Sequence, residues 1–206
     1  GTFKEAEQKE MRHFEEHLCN NTTNTPCHAT NADNRKDTKK CEDSEETLEQ
    51  LIDRDSKWRT DMRNTMKPKE RMLIECVTMP ELAPEYRISH RKEEVNQGLT
   101  LEMAMKEAKR CLDCAKPACM EGCPVSINIP SFIKNIERGN IIGAARVLKS
   151  TSSLPAVCGR VCPQEKQCES RCLHLKTGGE AVAIGYLERF AADYEREHGG
   201  ANVEKV

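Results

Sequence analysis

The chain has 206 residues, which suits one ordinary domain with an extension and excludes a large multidomain enzyme. Its 32 basic and 34 acidic residues give a formal charge of -2, and aromatic residues make up only 4% of the chain. This composition lacks the basic, aromatic-rich signature of a nucleic-acid binder. The sequence also lacks an apolar run of the roughly 18 residues that a membrane span needs, and the charged start lacks a signal-peptide core. We therefore expect a soluble, cytoplasmic protein without nucleic-acid or membrane partners.

Residues 1–65 are predicted to form an N-terminal extension in three parts. Residues 2–18 have the pattern of a polar helix with a thin apolar stripe. Residues 19–43 contain hardly any apolar side chain, so we expect a disordered polar linker. A second helix is predicted to open at Asp43 and Glu46 and to bury one face. That face comprises Leu48, Leu51, Ile52, Trp58 and Met62.

Residues 66–198 are predicted to form an all-α domain, because this stretch lacks the alternating pattern of a strand. Pro68 suits the first turn of a short helix, whereas Pro84 interrupts the chain beyond that helix. Thr100 is a candidate N-cap for a helix that leads into a group of cysteines. Gly139 separates two further helices, and a longer helix ends the domain. These last three helices are predicted over PSFIKNIERGN, IIGAARVLKS and EAVAIGYLERFAADYEREHG.

Twelve cysteines are the most unusual feature of the composition. Their share is below the roughly 8 to 10% of a short disulfide-bonded scaffold, so metal binding is the leading interpretation. Eight of them lie in two runs, RCLDCAKPACMEGCP and CGRVCPQEKQCESRC. The first run contains Cys111, Cys114, Cys119 and Cys123, and the second contains Cys158, Cys162, Cys168 and Cys172.

The spacing of these cysteines favours iron-sulfur clusters but leaves zinc open. In two-cluster bacterial ferredoxins, the cysteine that precedes a proline binds the other cluster. By that rule Cys111, Cys114 and Cys119 bind one cluster together with a ligand from the second run. The other cluster uses Cys123, Cys162 and Cys168. The alternative is two four-thiolate zinc sites in a structural or interaction domain without a redox role.

The two cysteine runs and the segments that follow them resemble those of a known family. RCLDCAKPACMEGCPVSINIPSFIKNIERGN, LPAVCGRVCPQEKQCESRC and AVAIGYLERFAADYERE resemble the N-terminal helical iron-sulfur domain of the glutamate synthase small subunit family. The same domain occurs in dihydropyrimidine dehydrogenase and in the NADPH-side subunit of bifurcating ferredoxin oxidoreductases. The resemblance covers roughly residues 66–198 and leaves the preceding residues without a counterpart.

The resemblance implies a helical ferredoxin-like domain with two 4Fe-4S clusters bound crosswise. It assigns four thiolates to one cluster and three thiolates with one carboxylate to the other, and it leaves Cys158 without a ligand role. The first set is Cys111, Cys114, Cys119 and Cys172, and the second is Cys123, Cys162, Cys168 and Glu188. The alternative interpretation of Glu188, without a ligand role, is a solvated helix carboxylate paired with a Lys or Arg.

The resemblance also implies a function and partners. Family members are oxidoreductases that continue into FAD and NADPH domains, and residues 199–206 are expected to be a linker to such domains. The chain is then an electron-transfer module between FAD and a partner, which is a catalytic or a ferredoxin-reducing subunit or domain. The residues do not distinguish between these partners.

The remaining candidate ligands have simpler interpretations. His13 and His17 are interpreted as a solvated helix face, and His174 is expected to lie at the surface despite its closeness to Cys172. Four cysteines outside the two runs are interpreted as free thiols. These are Cys19, Cys27, Cys41 and Cys76.

Overall fold

The computed structural model of the chain describes residues 46–199. The described residues belong to one compact unit, Ser44–Val206. The helix predicted over residues 2–18 and the linker predicted over 19–43 lie outside the described part, as do His13 and His17.

Short helices make up the described unit. Eleven α-helices occur between residues 46 and 199, with two 3-10 turns at Gln164–Lys166 and Glu169–Arg171. The helices are α1 Leu48–Ile52, α2 Lys57–Thr65, α3 Pro68–Met72, α4 Pro84–Ser89, α5 Leu101–Arg110, α6 Ala118–Glu121, α7 Ile129–Glu137, α8 Ile141–Lys149, α9 Pro155–Val161, α10 Leu173–Lys176 and α11 Ile184–His198.

The all-α prediction is confirmed for this part of the chain. Over residues 46–199 the only β-type pairing is an isolated antiparallel bridge between Glu81 and Asn96. No helix in the same range is long and apolar enough to cross a membrane.

One apolar core joins helices from both ends of the described range. It includes fully buried side chains from α1, α5, α7, α8 and α11, and the thiol-bearing loops pack around it. These side chains are Leu51, Ala104, Phe132, Leu148 and Leu187. The core consists largely of small and aliphatic residues. The cysteine-rich loops pack against this core on one side.

Several predicted helix boundaries are confirmed at their caps. The Thr100 side chain accepts a hydrogen bond from the Met103 backbone nitrogen at 3.3 Å and so caps α5. Gly139 has a φ of 86° between α7 and α8, a conformation that glycine adopts without a Cβ penalty. Pro68 is in the first turn of α3 as predicted, and Pro84 likewise begins α4 instead of only interrupting the chain.

The helix predicted to open at Asp43 and Glu46 is two helices in the structure. Thr47 caps α1 in a capping box with Gln50, while the Glu46 carboxylate pairs with Arg138 at 2.7 Å. The break after α1 follows from Asp53, whose carboxylate accepts from the Asp55 backbone nitrogen and whose carbonyl accepts from Ser56. Such local bonds compete with helix continuation.

The last helix begins at Ile184, later than the pattern predicts. The backbone predicted to form its first turn instead makes hydrogen bonds to buried charged side chains on α5. The Ala183 backbone nitrogen donates to the Glu107 carboxylate at 2.9 Å, and Arg110 binds the carbonyl oxygens of Glu180 and Ala181. A tertiary network therefore replaces the local helical bonds.

Candidate metal centres

Four thiols from both cysteine runs line one cavity of about 540 Å³. The cavity is formed where the end of α5, the following loop, α6 and the start of α10 meet. We call these thiols the first thiol group: Cys111, Cys114, Cys119 and Cys172. Cys172 comes from the second run, so the cavity joins segments that are distant in the chain.

Three other thiols and a carboxylate lie near one another, and we call them the second thiol group: Cys123, Cys162, Cys168 and Glu188. Cys123 and Glu188 both act electrostatically on the thiols of Cys162 and Cys168. Cys123 follows α6, Cys162 ends α9, and Glu188 lies on α11. The residues of each implied set therefore lie near one another, and their roles as ligands stay a prediction.

Burial and thiol crowding raise the pKa values of several of these thiols. Burial is the main cause for Cys111, whose pKa rises to about 11, and for Cys168, whose pKa rises to about 12. Burial, followed by the neighbouring Cys111, Cys172 and Cys114, raises the pKa of Cys119 strongly. These thiols are therefore protonated at neutral pH, and a metal that bound to them would have to displace their protons.

Glu188 is only 5% exposed, so the interpretation as a solvated helix carboxylate is wrong. Burial raises its pKa to about 7. Its Oε1 atom is fully buried, and within the described part of the chain it has no hydrogen-bond partner. An unpartnered buried carboxylate oxygen is costly unless a cation or donor satisfies it. This orphaned atom fits a metal ligand.

Cys158 lies beside the second thiol group on α9. Burial raises the pKa of the Cys162 thiol, and the neighbouring Cys158 raises it further through its charge and through a hydrogen bond between the two thiols. Proximity alone therefore does not distinguish Cys158 from Glu188 as the fourth ligand. Within residues 46–199 all nine cysteines are free of disulfides. Cys76 is one of these free thiols, whereas Cys19, Cys27 and Cys41 lie outside the described residues.

Basic side chains are concentrated around the first thiol group. Lys134 donates from its buried Nζ to the carbonyl oxygen of Cys111 at 2.6 Å. The cavity is also lined by Arg54, Arg63, Arg71, Lys116, Arg171 and Lys176. Positive charge favours thiolates and offsets the negative charge of a thiolate-bound metal group. Of the basic residues in the runs, Arg160 instead pairs with Glu94 and Asp193.

His174 is buried rather than at the surface, with 2% of its area exposed. One ring nitrogen lies 2.9 Å from the carbonyl oxygen of Arg110, the residue before Cys111. The expectation of a surface position is therefore wrong, because α10 turns inward after Cys172. His174 helps to fix the backbone that leads into the first thiol group.

Zinc and a 4Fe-4S cluster require different arrangements of four thiolates. A tetrahedral zinc site needs its thiolates at about 2.3 Å from one atom. Among the described residues, no three His, Cys, Asp or Glu side chains converge in that way. A 4Fe-4S cluster binds each thiolate at a different iron atom, so its ligands surround a larger volume. The cavity with four thiols at its wall fits this second requirement.

The fold and the two thiol groups define a helical iron-sulfur domain. Residues 88–200 match the family described as dihydropyrimidine dehydrogenase domain II, 4Fe-4S cluster. Because this match covers more than half of the chain, the chain belongs to that family. Its members bind 4Fe-4S clusters, which confirms both the family predicted from the motifs and the type of cofactor.

Individual relatives support the same assignment. The chain is 40% identical over 114 residues to the glutamate synthase [NADPH] small chain of Halomonas elongata, which is 55% of this chain and 24% of the relative. It is 40% identical over 108 residues to the NAD-dependent dihydropyrimidine dehydrogenase subunit PreT of Escherichia coli K12, with coverages of 52% and 26%. The Escherichia coli K12 glutamate synthase small chain is 41% identical over 106 residues, with coverages of 52% and 22%. The chain thus spans about a quarter of the length of these relatives.

Sequence reasoning missed the polar residues that surround the cysteines. Arg59 and Asp113 form a buried ion pair at 2.6 Å, although nothing in the local pattern of its helix distinguishes Arg59 from a solvated arginine. Arg71 and Lys134 both contact the Glu137 carboxylate. The sequence signal that was available is the position of Asp113 between Cys111 and Cys114. In the structure Asp113 has a φ of 52°.

Proposed function

We propose that the chain is the iron-sulfur electron-transfer module of a flavin- and NAD(P)H-dependent oxidoreductase of the glutamate synthase small-subunit type. The observation that carries the proposal is the crossed arrangement of the cysteine runs. Each cysteine run contributes thiols to both groups, as expected when two clusters cross-link distant segments of one chain. The family match and the relatives' names support the oxidoreductase class.

We assign one 4Fe-4S cluster to the first thiol group and one to the second. The cavity of about 540 Å³ supports the first assignment, and the orphaned Glu188 oxygen supports the second. When bound, such clusters accept and release single electrons, and the protein tunes their potentials by ligand type, hydrogen bonds and burial.

The chain's own residues hold the site and exclude water. Cys111, Cys119 and Cys168 are protonated thiols at neutral pH in the absence of metal, so ligation releases their protons. Lys134 and the basic side chains at the cavity offset the charge of the resulting thiolates. The apolar core beneath the loops keeps one side of each thiol group away from solvent.

FAD and NAD(P)H would reside in domains that work with this module. Two relatives are named as NADPH- and NAD-dependent enzymes, which supports a nicotinamide as the electron source. We propose that electrons from reduced flavin reach a partner subunit or domain through this module. That partner is either catalytic, as in glutamate synthesis, or reduces ferredoxin.

The metal content tests the proposal directly. Anaerobically prepared protein is expected to contain about eight iron and eight sulfide per chain, from two cubanes. Two zinc ions without sulfide would instead support the structural alternative and contradict the redox function. Visible absorbance and electron paramagnetic resonance after reduction would distinguish one cluster from two.

Two matched substitutions test the fourth ligand of the second site. Glu188→Ala is expected to remove one cluster, with about half of the iron, and to leave the other in place. Cys158→Ala is expected to keep both clusters, because we assign it no ligand role. If Cys158→Ala removes a cluster while Glu188→Ala keeps both, the ligand assignment is wrong.

A further inference from the structure

Three arginines from residues 46–65 converge on Asp113. Arg59 donates to both carboxylate oxygens, with its shortest contact from Nη2 to Oδ1 at 2.6 Å. Arg63 donates to Oδ2 at 2.8 Å, and Arg54 donates to the Asp113 backbone oxygen at 3.1 Å. Arg59 and Asp113 are 2% and 1% exposed, so this is a buried ion pair. Such a pair is retained only with well-formed geometry.

Asp113 lies between Cys111 and Cys114, the two closest ligands in the sequence. Its φ of 52° places it in the left-handed region, which Asp tolerates better than most residues but which still needs support from its surroundings. The arginines supply this support from one side, while Lys134 binds the Cys111 carbonyl oxygen at 2.6 Å from the other. The loop between the two thiols is thus fixed at its turn and at its start.

Further hydrogen bonds to neighbouring residues hold Arg59 and Arg63 in place. Arg59 donates to the Ser131 hydroxyl at 2.8 Å and to the carbonyl oxygen of Ile52 at 3.2 Å. Arg63 donates to the Arg54 carbonyl oxygen at 2.7 Å. The guanidinium of Arg59 therefore bridges α1, α7 and the cysteine loop, and Lys could not reproduce its forked geometry.

The three arginines lie outside the region that matches the family, which begins at residue 88, whereas Asp113 and Ser131 lie inside it. We propose that Arg59, supported by Arg63, is a positioning residue for the first thiol group. Through Asp113, it holds the loop that directs Cys111 and Cys114 into the cavity. This inference rests on the proposed function only for the cluster readout, because the loop conformation can also be measured without iron.

Arg59→Lys in the full chain is the direct test, with Arg138→Lys as the matched control. Arg138 ties the same N-terminal segment to α7 through Glu46, but its bonds do not reach the cysteine loop. In redox titrations followed by paramagnetic resonance, Arg59→Lys is expected to shift or remove the signal of the first cluster alone. Its iron content would fall by up to about half. Arg138→Lys is expected to leave both signals unchanged.

A second variant separates positioning from general stability. Arg59→Met combined with Asp113→Asn removes both charges and keeps a residue that tolerates a positive φ. We expect this variant to fold but still to alter the first cluster signal. Wild-type signals in it, or an equal loss of both clusters in Arg59→Lys, would overturn the proposal.

An iron-free readout keeps this inference separate from the proposed function. After removal of iron, each thiol is alkylated and its rate is measured by mass spectrometry. Arg59→Lys is expected to increase the rates at Cys111 and Cys114 several-fold but not at Cys162 and Cys168. Unchanged rates at all four thiols would overturn the positioning role. Wild-type protein that takes up no iron, with the expected alkylation change, would contradict the proposed function alone.

Discussion

Gly159 on α9 lies directly against the backbone of Arg189 on α11. A Cβ atom added to Gly159 would stand 2.6 Å from the Arg189 backbone nitrogen, closer than real side-chain carbons approach. The two helices therefore meet at a contact that only glycine permits. This contact sets the spacing between Cys162, at the end of α9, and Glu188, which precedes Arg189.

Gly159→Ala is expected to push α9 away from α11 and to disturb the second site selectively. Overpacking at a backbone contact costs about 1 to 3 kcal/mol. We expect a corresponding loss in the free energy of unfolding, together with loss of one cluster signal in paramagnetic resonance. Gly179→Ala is the control, because its added Cβ would meet only ordinary contacts, the nearest at 3.5 Å. Equal effects of both substitutions would contradict this explanation.

Glu137→Gln is expected to destabilise the protein strongly. Glu137 accepts from Arg71 at 2.8 Å and from Lys134 at 2.5 Å, and both cations are almost fully buried. Without the carboxylate, two buried positive charges lose their counter-charge, which costs about 3 to 5 kcal/mol. Chemical denaturation measures this loss. Glu121→Gln removes a carboxylate 4.0 Å from Arg171 at the exposed surface, and we expect a change of less than about 0.5 kcal/mol.

The buried Glu188 carboxyl is expected to reduce the stability of the iron-free chain as the pH rises from about 4.5 to about 7. Burial raises the pKa of Glu188 from 4.5 to about 7, so the folded chain binds more protons than the unfolded chain in this window. Unfolding therefore becomes easier with rising pH, by about 3 kcal/mol at pH 8. Below pH 4.5 the carboxyl is protonated in both states, and this penalty is absent.

Glu188→Gln in the iron-free chain checks this account. The substitution is expected to raise the free energy of unfolding at pH 8 and to have little effect at pH 4. Denaturant titrations at both pH values measure the difference. Glu197→Gln, at the exposed end of the same helix, is the control and is expected to show no such dependence. A stabilisation by Glu188→Gln that is the same at both pH values would rule out the buried charge as its cause.

Thr100→Ala is expected to lower the free energy of unfolding by about 1 kcal/mol, because the hydroxyl caps α5. Thr100→Ser keeps the capping oxygen and is expected to restore most of the loss. Thermal or chemical denaturation of the three proteins measures the effect. If Ser and Ala destabilise equally, packing of the Thr methyl group rather than the cap explains the result.

Local signals predict much of the fold. Thr100, Pro68 and Gly139 act through their own backbone conformation or their nearest neighbours, so their roles are visible in the sequence. The predicted start of α11 is too early because Glu107 and Arg110 bind the preceding backbone. These partners are about 70 residues away, and a local pattern contains no information about them.

The candidate site, like the fold, is predicted by the sequence only in part. The cysteine spacing indicates an iron-sulfur domain, and the family match confirms it. The spacing does not reveal the burial of His174 or the ion pair of Arg59, because each depends on how distant segments pack. In the sequence the charged side chains of α2 resemble a solvated face, since only the tertiary structure supplies Asp113 as their partner.

The crossed arrangement of the two thiol groups makes either half of the chain incomplete by itself. A break in the loop between α8 and α9 would leave Cys111, Cys114, Cys119 and Cys123 on one fragment and the second run with Glu188 on the other. Under the proposed ligand assignment, neither fragment would then carry a full set for either site. Cluster colour in a mixture of the two fragments would therefore report their reassociation, which turns the topology of the domain into a visible assay for fragment complementation.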